Sequence, residues 1–154
     1  MSKIEVKVVR LEPMRVASAY GFGKEPEGIA AEKMAAFAKK HNLYGGEKKP
    51  RTFGFDNPTP SPGSPNYGYE CWAEVDGTIK PDGDIRIQHF SGGLYAVTQF
   101  KNLHNIGKVW KQIVTWREDS QYKSGQHQWL EELLTPASAP IEEYVFNLYL
   151  PIVE

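Results

Sequence analysis

The sequence contains few of the residues and patterns on which common chemical sites are built. Its single cysteine, Cys71, excludes an internal disulfide and a zinc site made of cysteines. The four histidines form no i, i+4 pair and no HExxH motif, so we predict no metal site. No apolar run approaches the ~18 residues of a membrane span, and the first ten residues are not of signal-peptide type. We therefore expect a cytoplasmic protein with no metal, no cofactor and no membrane contact.

An excess of positive charge is also missing. Lysine and arginine total 18, against 19 aspartates and glutamates, which gives a formal net charge of −1. Domains that bind nucleic acid usually carry a basic excess, so this balance argues against direct nucleic-acid binding. The length of 154 residues suits one domain with its own hydrophobic core. We expect residues 1–154 to form a single domain.

Aromatic residues, by contrast, are abundant. The chain has 7 phenylalanines, 4 tryptophans and 8 tyrosines, which together make up 12% of its residues. Such a surplus is typical of a binding pocket, but it is equally typical of a well-filled β-sheet core. Composition alone leaves these two interpretations open.

The pattern of hydrophobic residues has the same order in two halves of the chain, residues 3–75 and 84–151. Each half predicts two strands, a helix and two further strand-like segments. The predicted segments are strands at 4–8, 14–22, 51–55, 67–75, 85–90, 94–100 and 143–150, helices at 26–41 and 105–117, and an ambiguous segment at 127–134. Two such halves predict an α+β fold, with antiparallel sheet on one side, two helices on the other and a ligand cleft between the halves.

A proline-rich stretch, residues 56–66, interrupts the first half. Its four prolines exclude a helix and favour an extended, stiff segment. Two interpretations stay open, namely a surface connector and a loop that covers a pocket.

Two groups of carboxylates stand out from this pattern. Glu70, Trp72 and Glu74 share one face of a predicted strand, for which a polar outer face is the simpler interpretation. Glu131 and Glu132 lie inside the apolar segment WLEELL. A carboxylate that points inward there is unfavourable unless it is paired, and a cation held against aromatic rings is a suitable partner.

Five segments, in this order, resemble those of a known family. They are FGFDNP at 53–58, YGYECWAEV at 67–75, FSGGLYAVTQFKN at 90–102, VWKQIVTW at 109–116 and LYLPI at 148–152. This set resembles the GyrI-like small-molecule-binding domain, which is the effector-binding half of AraC- and MerR-type multidrug regulators. The resemblance implies duplicated β-β-α-β units with pseudo-two-fold symmetry and a central ligand cleft.

The family resemblance also implies a site. Relatives bind hydrophobic, often cationic, compounds around a glutamate, which corresponds here to Glu131, or to Glu132 if the register shifts by one residue. The aromatic candidates lie on predicted core-facing elements of both halves, where ordinary core packing is the competing interpretation. They are Tyr20, Tyr69, Trp72, Trp110, Tyr144 and Phe146.

The resemblance leaves three functions to distinguish. Because the chain starts at its first strand, we expect a standalone module that binds bulky aromatic, hydrophobic or cationic compounds for sensing, sequestration or toxin protection. The first alternative is a hydrolase that opens strained rings of genotoxic compounds, with Glu131 as the reactive carboxylate. The second is a protein-interaction module with gyrase or a regulator as its partner. The sequence does not determine the oligomeric state.

Overall fold

The structure, a computed structural model, describes residues 4–46, 49–136 and 138–154. Within these ranges, nine strands and two α-helices follow one another along the chain. They are β1 (Lys7–Leu11), β2 (Met14–Gly23), α1 (Pro26–Lys40), β3 (Thr52–Asp56), β4 (Tyr67–Glu74), β5 (Arg86–Phe90), β6 (Gly93–Lys101), α2 (Ile106–Glu118), β7 (Lys123–Ser124), β8 (Leu130–Leu133) and β9 (Val145–Val153). This order confirms the α+β class and the repeated β-β-α-β pattern.

The elements form two compact units. The first unit is Pro13–Ser91, and the second joins the residues up to Glu12 to Gly92–Glu154. The strand order in the first unit is β3-β4-β2-β5, and all pairs are antiparallel. The second unit has the corresponding order β8-β9-β6-β1, with β7 added on β9. β1, which belongs to the first half of the sequence, therefore pairs with β6 in the second unit. In the same way β5, from the second half of the sequence, pairs with β2 in the first unit.

The core of the first unit lies between α1 and one face of its sheet. Pro26 lies at the start of α1, where its fixed φ is compatible with a helix. Its missing N–H costs no helix hydrogen bond there, because the first N–H groups of a helix have no partner within the helix. Gly21 on β2 allows the helix to approach closely, because a Cβ there would lie 2.3 Å from the carbonyl oxygen of Pro26. The buried residues of this core are Ala17, Ala19, Met34, Phe37, Ala73, Val75 and Ile85.

The core of the second unit has the same construction. Ile113 of α2 is fully buried against alanine, leucine and isoleucine side chains of β6 and β9. Trp110 and Val114, on the same helix, pack at the margin of this cluster. The buried strand residues of the cluster are Ala96, Leu150 and Ile152.

Near the C-terminus, the structure resolves one ambiguous segment of the sequence prediction and corrects the end of another. The ambiguous segment contains the strand β8, because Leu130–Leu133 pairs with β9. β9 does not end before Pro151 as predicted but continues to Val153. Proline lacks only the donor of a ladder bond, and the carbonyl of Pro151 still accepts a hydrogen bond of 3.0 Å from the Gly125 N–H.

No helix in the described part of the chain is long and apolar enough to cross a membrane.

Candidate functional site

Each unit has one sheet face that packs against its own helix and an opposite face, here called the distal face. Residues that lie directly opposite each other on paired strands point to the same side of a sheet. In the first unit, Ala17 opposes Ala73 and both belong to the α1 core. Ser18 opposes Trp72, one residue along each strand, so these two side chains lie on the distal face.

Glu70 is the central residue of the distal face in the first unit. It is only 4% exposed, although it carries a carboxylate. Its Oε2 accepts hydrogen bonds of 3.0 Å from the Ser18 hydroxyl and 3.0 Å from Trp72 Nε1, together with a longer one of 3.4 Å from Gln88 Nε2. Its Oε1 accepts a bond of 2.9 Å from Asn57 Nδ2. Four uncharged donors thus solvate a carboxylate that is largely removed from water.

Aromatic rings flank this carboxylate. The Trp72 ring meets Phe55 edge to face, with 4.9 Å between ring centroids, and it lies 5.6 Å from the ring of Phe90. Among the described residues, the cation that pairs with Glu70 is Arg86, whose Nη2 is 3.9 Å from Glu70 Oε1. The distal face of the first unit therefore combines a buried negative charge with an aromatic wall, a combination that suits a hydrophobic cation.

The polar outer face expected for Glu70, Trp72 and Glu74 is wrong for the first two, since Glu70 and Trp72 are both buried. The proline-rich stretch contributes to this burial at its start. Asn57 binds Glu70 through its side chain, and its backbone N–H donates a 2.8 Å bond to the Gly68 carbonyl. The remainder of the stretch, residues 58–66, is exposed.

The second unit carries a buried carboxylate on its own distal face. Glu132 is 5% exposed, and its Oε1 accepts a hydrogen bond of 2.6 Å from the Tyr149 hydroxyl. The ring of Tyr95 lies 5.6 Å from that of Tyr149 in an edge-to-face arrangement. The Tyr95 hydroxyl donates a 2.5 Å bond to the carbonyl of Gln128. Burial, and secondarily the neighbouring Tyr149, raise the pKa of Tyr95 well above its ordinary value, so this hydroxyl stays protonated.

Glu131 points the other way. It opposes Leu148 in the β8–β9 register, on the side of the sheet that faces α2. Trp110 of α2 donates a long hydrogen bond of 3.4 Å from Nε1 to Glu131 Oε2. The ring of Trp129 lies 5.3 Å from that of Trp110. The two neighbouring acids that the sequence could not separate therefore lie on opposite faces of β8.

The aromatic candidates of the first unit divide between its two faces. Trp72 lies on the distal face beside Glu70, and Tyr20 directly opposes Glu70 on the neighbouring strand. Tyr69 lies on the α1 side, above Gly54, where a Cβ would come within 2.0 Å of the tyrosine hydroxyl. The structure thus brings together Tyr20, Trp72 and the carboxylate, and it separates Tyr69 from them.

Two aromatic candidates of the second unit, Trp110 and Phe146, lie on the side of the sheet opposite to Glu132. Trp110 contacts Glu131, as described above. The side chains of Phe146 and Tyr149 point to opposite faces of β9, so Phe146 lies on the α2 side of the sheet. There it stacks on Phe100 with a centroid distance of 5.4 Å. The ring of Tyr144 packs at 5.9 Å from Phe146. Trp110 thus contacts Glu131 and Trp129, whereas Phe146 forms ring contacts with Phe100 and Tyr144.

Several residues of the distal faces were not among the predicted site residues. Side chains alternate between the two faces of β9, which places Tyr149 on the face opposite to Phe146. This alternation was the one sequence signal that could have indicated the pairing of Tyr149 with Glu132. The bond between Asn57 and Glu70 joins a loop to a strand, and no local pattern could have found it. The missed residues are Ser18, Phe55, Asn57, Glu70, Gln88, Phe90, Tyr95 and Tyr149.

Duplicated β-β-α-β units with antiparallel sheets and one helix each are the fold of GyrI-like effector-binding domains. Residues 7–152 match the sequence profile of Cass2, the integron-associated effector binding protein. The chain therefore belongs to the Cass2 family. This result confirms the resemblance inferred from the sequence motifs. No curated protein matches the chain.

Solved structures share the fold at low sequence identity. EcmrR in a complex with DNA superposes with a TM-score of 0.72 at 13% identity over 97% of this chain, which spans 57% of the EcmrR chain. A hydrolase from Listeria innocua gives a TM-score of 0.72 at 12% identity, over 99% of this chain and 94% of that one. The protein SAV2435, solved with bound tetraphenylphosphonium, gives 0.59 at 11% identity, over 97% and 94% of the two chains.

Proposed function

We propose that this protein is an effector-binding module for hydrophobic, cationic small molecules, which it holds through a buried carboxylate on a distal face, Glu70 in the first unit and Glu132 in the second. The observation that carries the proposal is Glu70, a nearly inaccessible carboxylate beside Trp72, Phe55 and Phe90. Sensing, sequestration and protection from toxins are the biological roles that such binding serves.

The physical basis is the electrostatic environment of Glu70. Its four hydrogen bonds come from uncharged groups, so they solvate the negative charge without neutralising it. A cation with a hydrophobic body gains from the charge, from contact with the aromatic faces and from removal of its apolar surface from water. Membership of an effector-binding family supports this function, and the phosphonium ligand of SAV2435 is a cation of the proposed class.

In the second unit we assign the ligand-facing acid to Glu132 and not to Glu131. Glu132 shares the distal face with Tyr149, whereas Glu131 is on the side of the sheet that faces α2. The assignment keeps the family's glutamate on β8 and changes its position by one residue.

Isothermal titration calorimetry with tetraphenylphosphonium tests this proposal. Because bonds to charged groups contribute about 1.5–3 kcal/mol, we expect E70Q and E132Q each to weaken binding to its own unit at least about tenfold. E131Q, the neighbouring acid of the opposite face, is the matched control and should change the Kd less than about twofold. Loss of affinity in E131Q alone would return the assignment to Glu131. Absence of binding to tetraphenylphosphonium and to rhodamine dyes would reject the function.

A second candidate function, hydrolysis of a strained electrophilic ring, is favoured by the Tyr149–Glu132 pair. In this reaction Glu132 takes a proton from water while the water oxygen attacks a cyclopropane carbon. The ring C–C bond breaks, and its electron pair moves into a conjugated carbonyl to give an enolate or phenolate, which takes up a proton. Tyr149 holds the carboxylate in place for this step.

Mass spectrometry after incubation with an electrophilic cyclopropane distinguishes turnover from binding. Hydrolysis predicts a product heavier by one water, formed over several turnovers and lost in E132Q. Unchanged compound after long incubation with stoichiometric protein would reject the activity. Interaction with gyrase or a regulator stays a prediction from the sequence resemblance.

A further inference from the structure

Arg86 has an unusual relationship to the buried carboxylate of the first unit. It lies on β5, directly opposite Ser18, so its side chain shares the distal face with Glu70. The distance from Arg86 Nη2 to Glu70 Oε1 is 3.9 Å, which is too long for a hydrogen bond. The Arg86 side chain is 64% exposed, whereas that of Glu70 is 6% exposed.

The contrast with the uncharged donors defines the role of this arginine. Ser18, Trp72 and Asn57 hold the carboxylate at hydrogen-bond distances of 2.9–3.0 Å. Arg86 adds charge compensation without a directed bond. An ion pair whose cation is mostly in water is weak, so its separation needs little free energy. Within the described residues, Arg86 is the one cationic side chain that pairs with Glu70.

We propose that Arg86 is a displaceable internal counter-ion that determines the charge selectivity of the Glu70 site. In the free protein the guanidinium compensates Glu70, and a cationic ligand takes its place near Oε1 while Arg86 turns into solvent. The inference rests on the proposed function, because it requires a cation to bind at Glu70. It implies that every cationic ligand competes with Arg86, so this arginine lowers the affinity for cations.

Arg86→Met tests the inference, because methionine retains an unbranched apolar chain and removes the charge. Exposed ion pairs contribute up to about 1 kcal/mol, so removal of the competitor should tighten tetraphenylphosphonium binding by up to about fivefold in calorimetry at low salt. Arg15→Met is the matched control, because it makes the same change in net charge on β2, on the opposite face of the sheet. The Kd of this control should stay within about twofold of the wild type.

Two further measurements separate competition from a structural effect. In the Glu70→Gln background, Arg86→Met should no longer tighten binding, since there is no charge for the arginine to compensate. In the wild type the ligand replaces one cation, Arg86, by another, whereas in Arg86→Met the ligand forms a new ion pair with Glu70. The affinity of the wild type should therefore depend less on salt concentration than the affinity of Arg86→Met.

The outcomes separate this inference from the function on which it rests. Unchanged or weaker binding by Arg86→Met, with Glu70→Gln still weakening binding, would overturn the role of Arg86 and leave the proposed function in place. If wild-type protein binds no cation, the proposed function itself fails. Tighter binding that persists in the Glu70→Gln background would also overturn the inference, because the effect would then come from net charge.

Discussion

The Tyr149 hydroxyl donates a hydrogen bond of 2.6 Å to Glu132 Oε1, and both side chains are almost completely buried. In the β8–β9 register Tyr149 opposes Leu130, so the bond joins diagonal neighbours across two strands. A tyrosine spans such a diagonal because its hydroxyl lies far from its backbone. The register of a single strand pair thus decides which of two adjacent glutamates is held on the distal face.

Removal of this hydroxyl should destabilise the protein. Tyr149→Phe leaves the buried Glu132 carboxylate without one of its donors, which lowers the free energy of unfolding by about 1–3 kcal/mol. Urea denaturation at neutral pH measures the change. Tyr122→Phe is the control, because the Tyr122 ring stacks on Trp116 and should tolerate loss of its hydroxyl within about 0.5 kcal/mol. Equal stability of the two variants would contradict the importance of the bond.

Ser18→Ala should have a comparable effect in the first unit. Ser18 is 1% exposed and its hydroxyl donates to the buried Glu70, so its loss removes a donor that water cannot replace. We expect the free energy of unfolding to fall by about 1–3 kcal/mol in urea denaturation. Ser64→Ala, in the exposed proline-rich stretch, should change it by less than about 0.5 kcal/mol. A stable Ser18→Ala protein would show that Glu70 does not depend on this donor.

Two glycines of the first unit predict opposite responses to alanine. In Gly21→Ala the new methyl group would lie 2.3 Å from the Pro26 carbonyl oxygen, so β2 and α1 must move apart at a cost of about 1–3 kcal/mol. Gly28 lies in α1 with open space around it, and Gly28→Ala should stabilise the helix by about 0.5–1 kcal/mol. Thermal unfolding should show a lower Tm for the first variant and a higher one for the second. Shifts in the same direction would refute the close approach.

Asp82 should make stability depend on acidic pH. Hydrogen bonds from Lys40 and His41 lower the pKa of Asp82 below its ordinary value of 3.8. A lowered pKa in the folded state means that the contribution of Asp82 to stability is complete above pH 3.8 and is lost as the pH falls through the folded-state pKa.

The expected measurement is a series of urea denaturations between about pH 2 and 6, because the loss falls below the ordinary pKa of 3.8. Asp82→Asn should flatten the acidic decline in stability relative to the wild type. Asp84→Asn, at a more exposed carboxylate 3.7 Å from Lys33, should retain most of it. An identical pH profile for wild type and Asp82→Asn would rule out this contribution.

Local patterns predicted most elements of the fold. The predicted helix at 105–117 corresponds to Ile106–Glu118, and the strand predicted at 67–75 corresponds to Tyr67–Glu74. These segments have strong periodicity and clear ends. The segment around Leu130 has four residues of regular strand, and so short an apolar run is compatible with a strand or a helical turn. Its pairing with β9 resolves the ambiguity.

The candidate site was less accessible to sequence reasoning. Alternation along β4 places Glu70 and Trp72 on one face, but it does not say whether that face is covered. Their burial depends on contacts with Ser18 and Asn57, which are 52 and 13 residues away from Glu70. Phe146 and Tyr69 have aromatic side chains of the right kind, but the strand registers place them on the helix sides of their sheets.

The sequence by itself determined the α+β class, the repeated order of strands and helices, and the family, because each of these follows from periodicity and motifs within short segments. The tertiary structure decided that β1 pairs with β6 and that β5 pairs with β2. It also decided that Glu70 and Glu132 are the buried carboxylates of the two distal faces. Pairing register and burial arise from contacts between residues distant in the chain, and those contacts leave no periodic signal in the sequence.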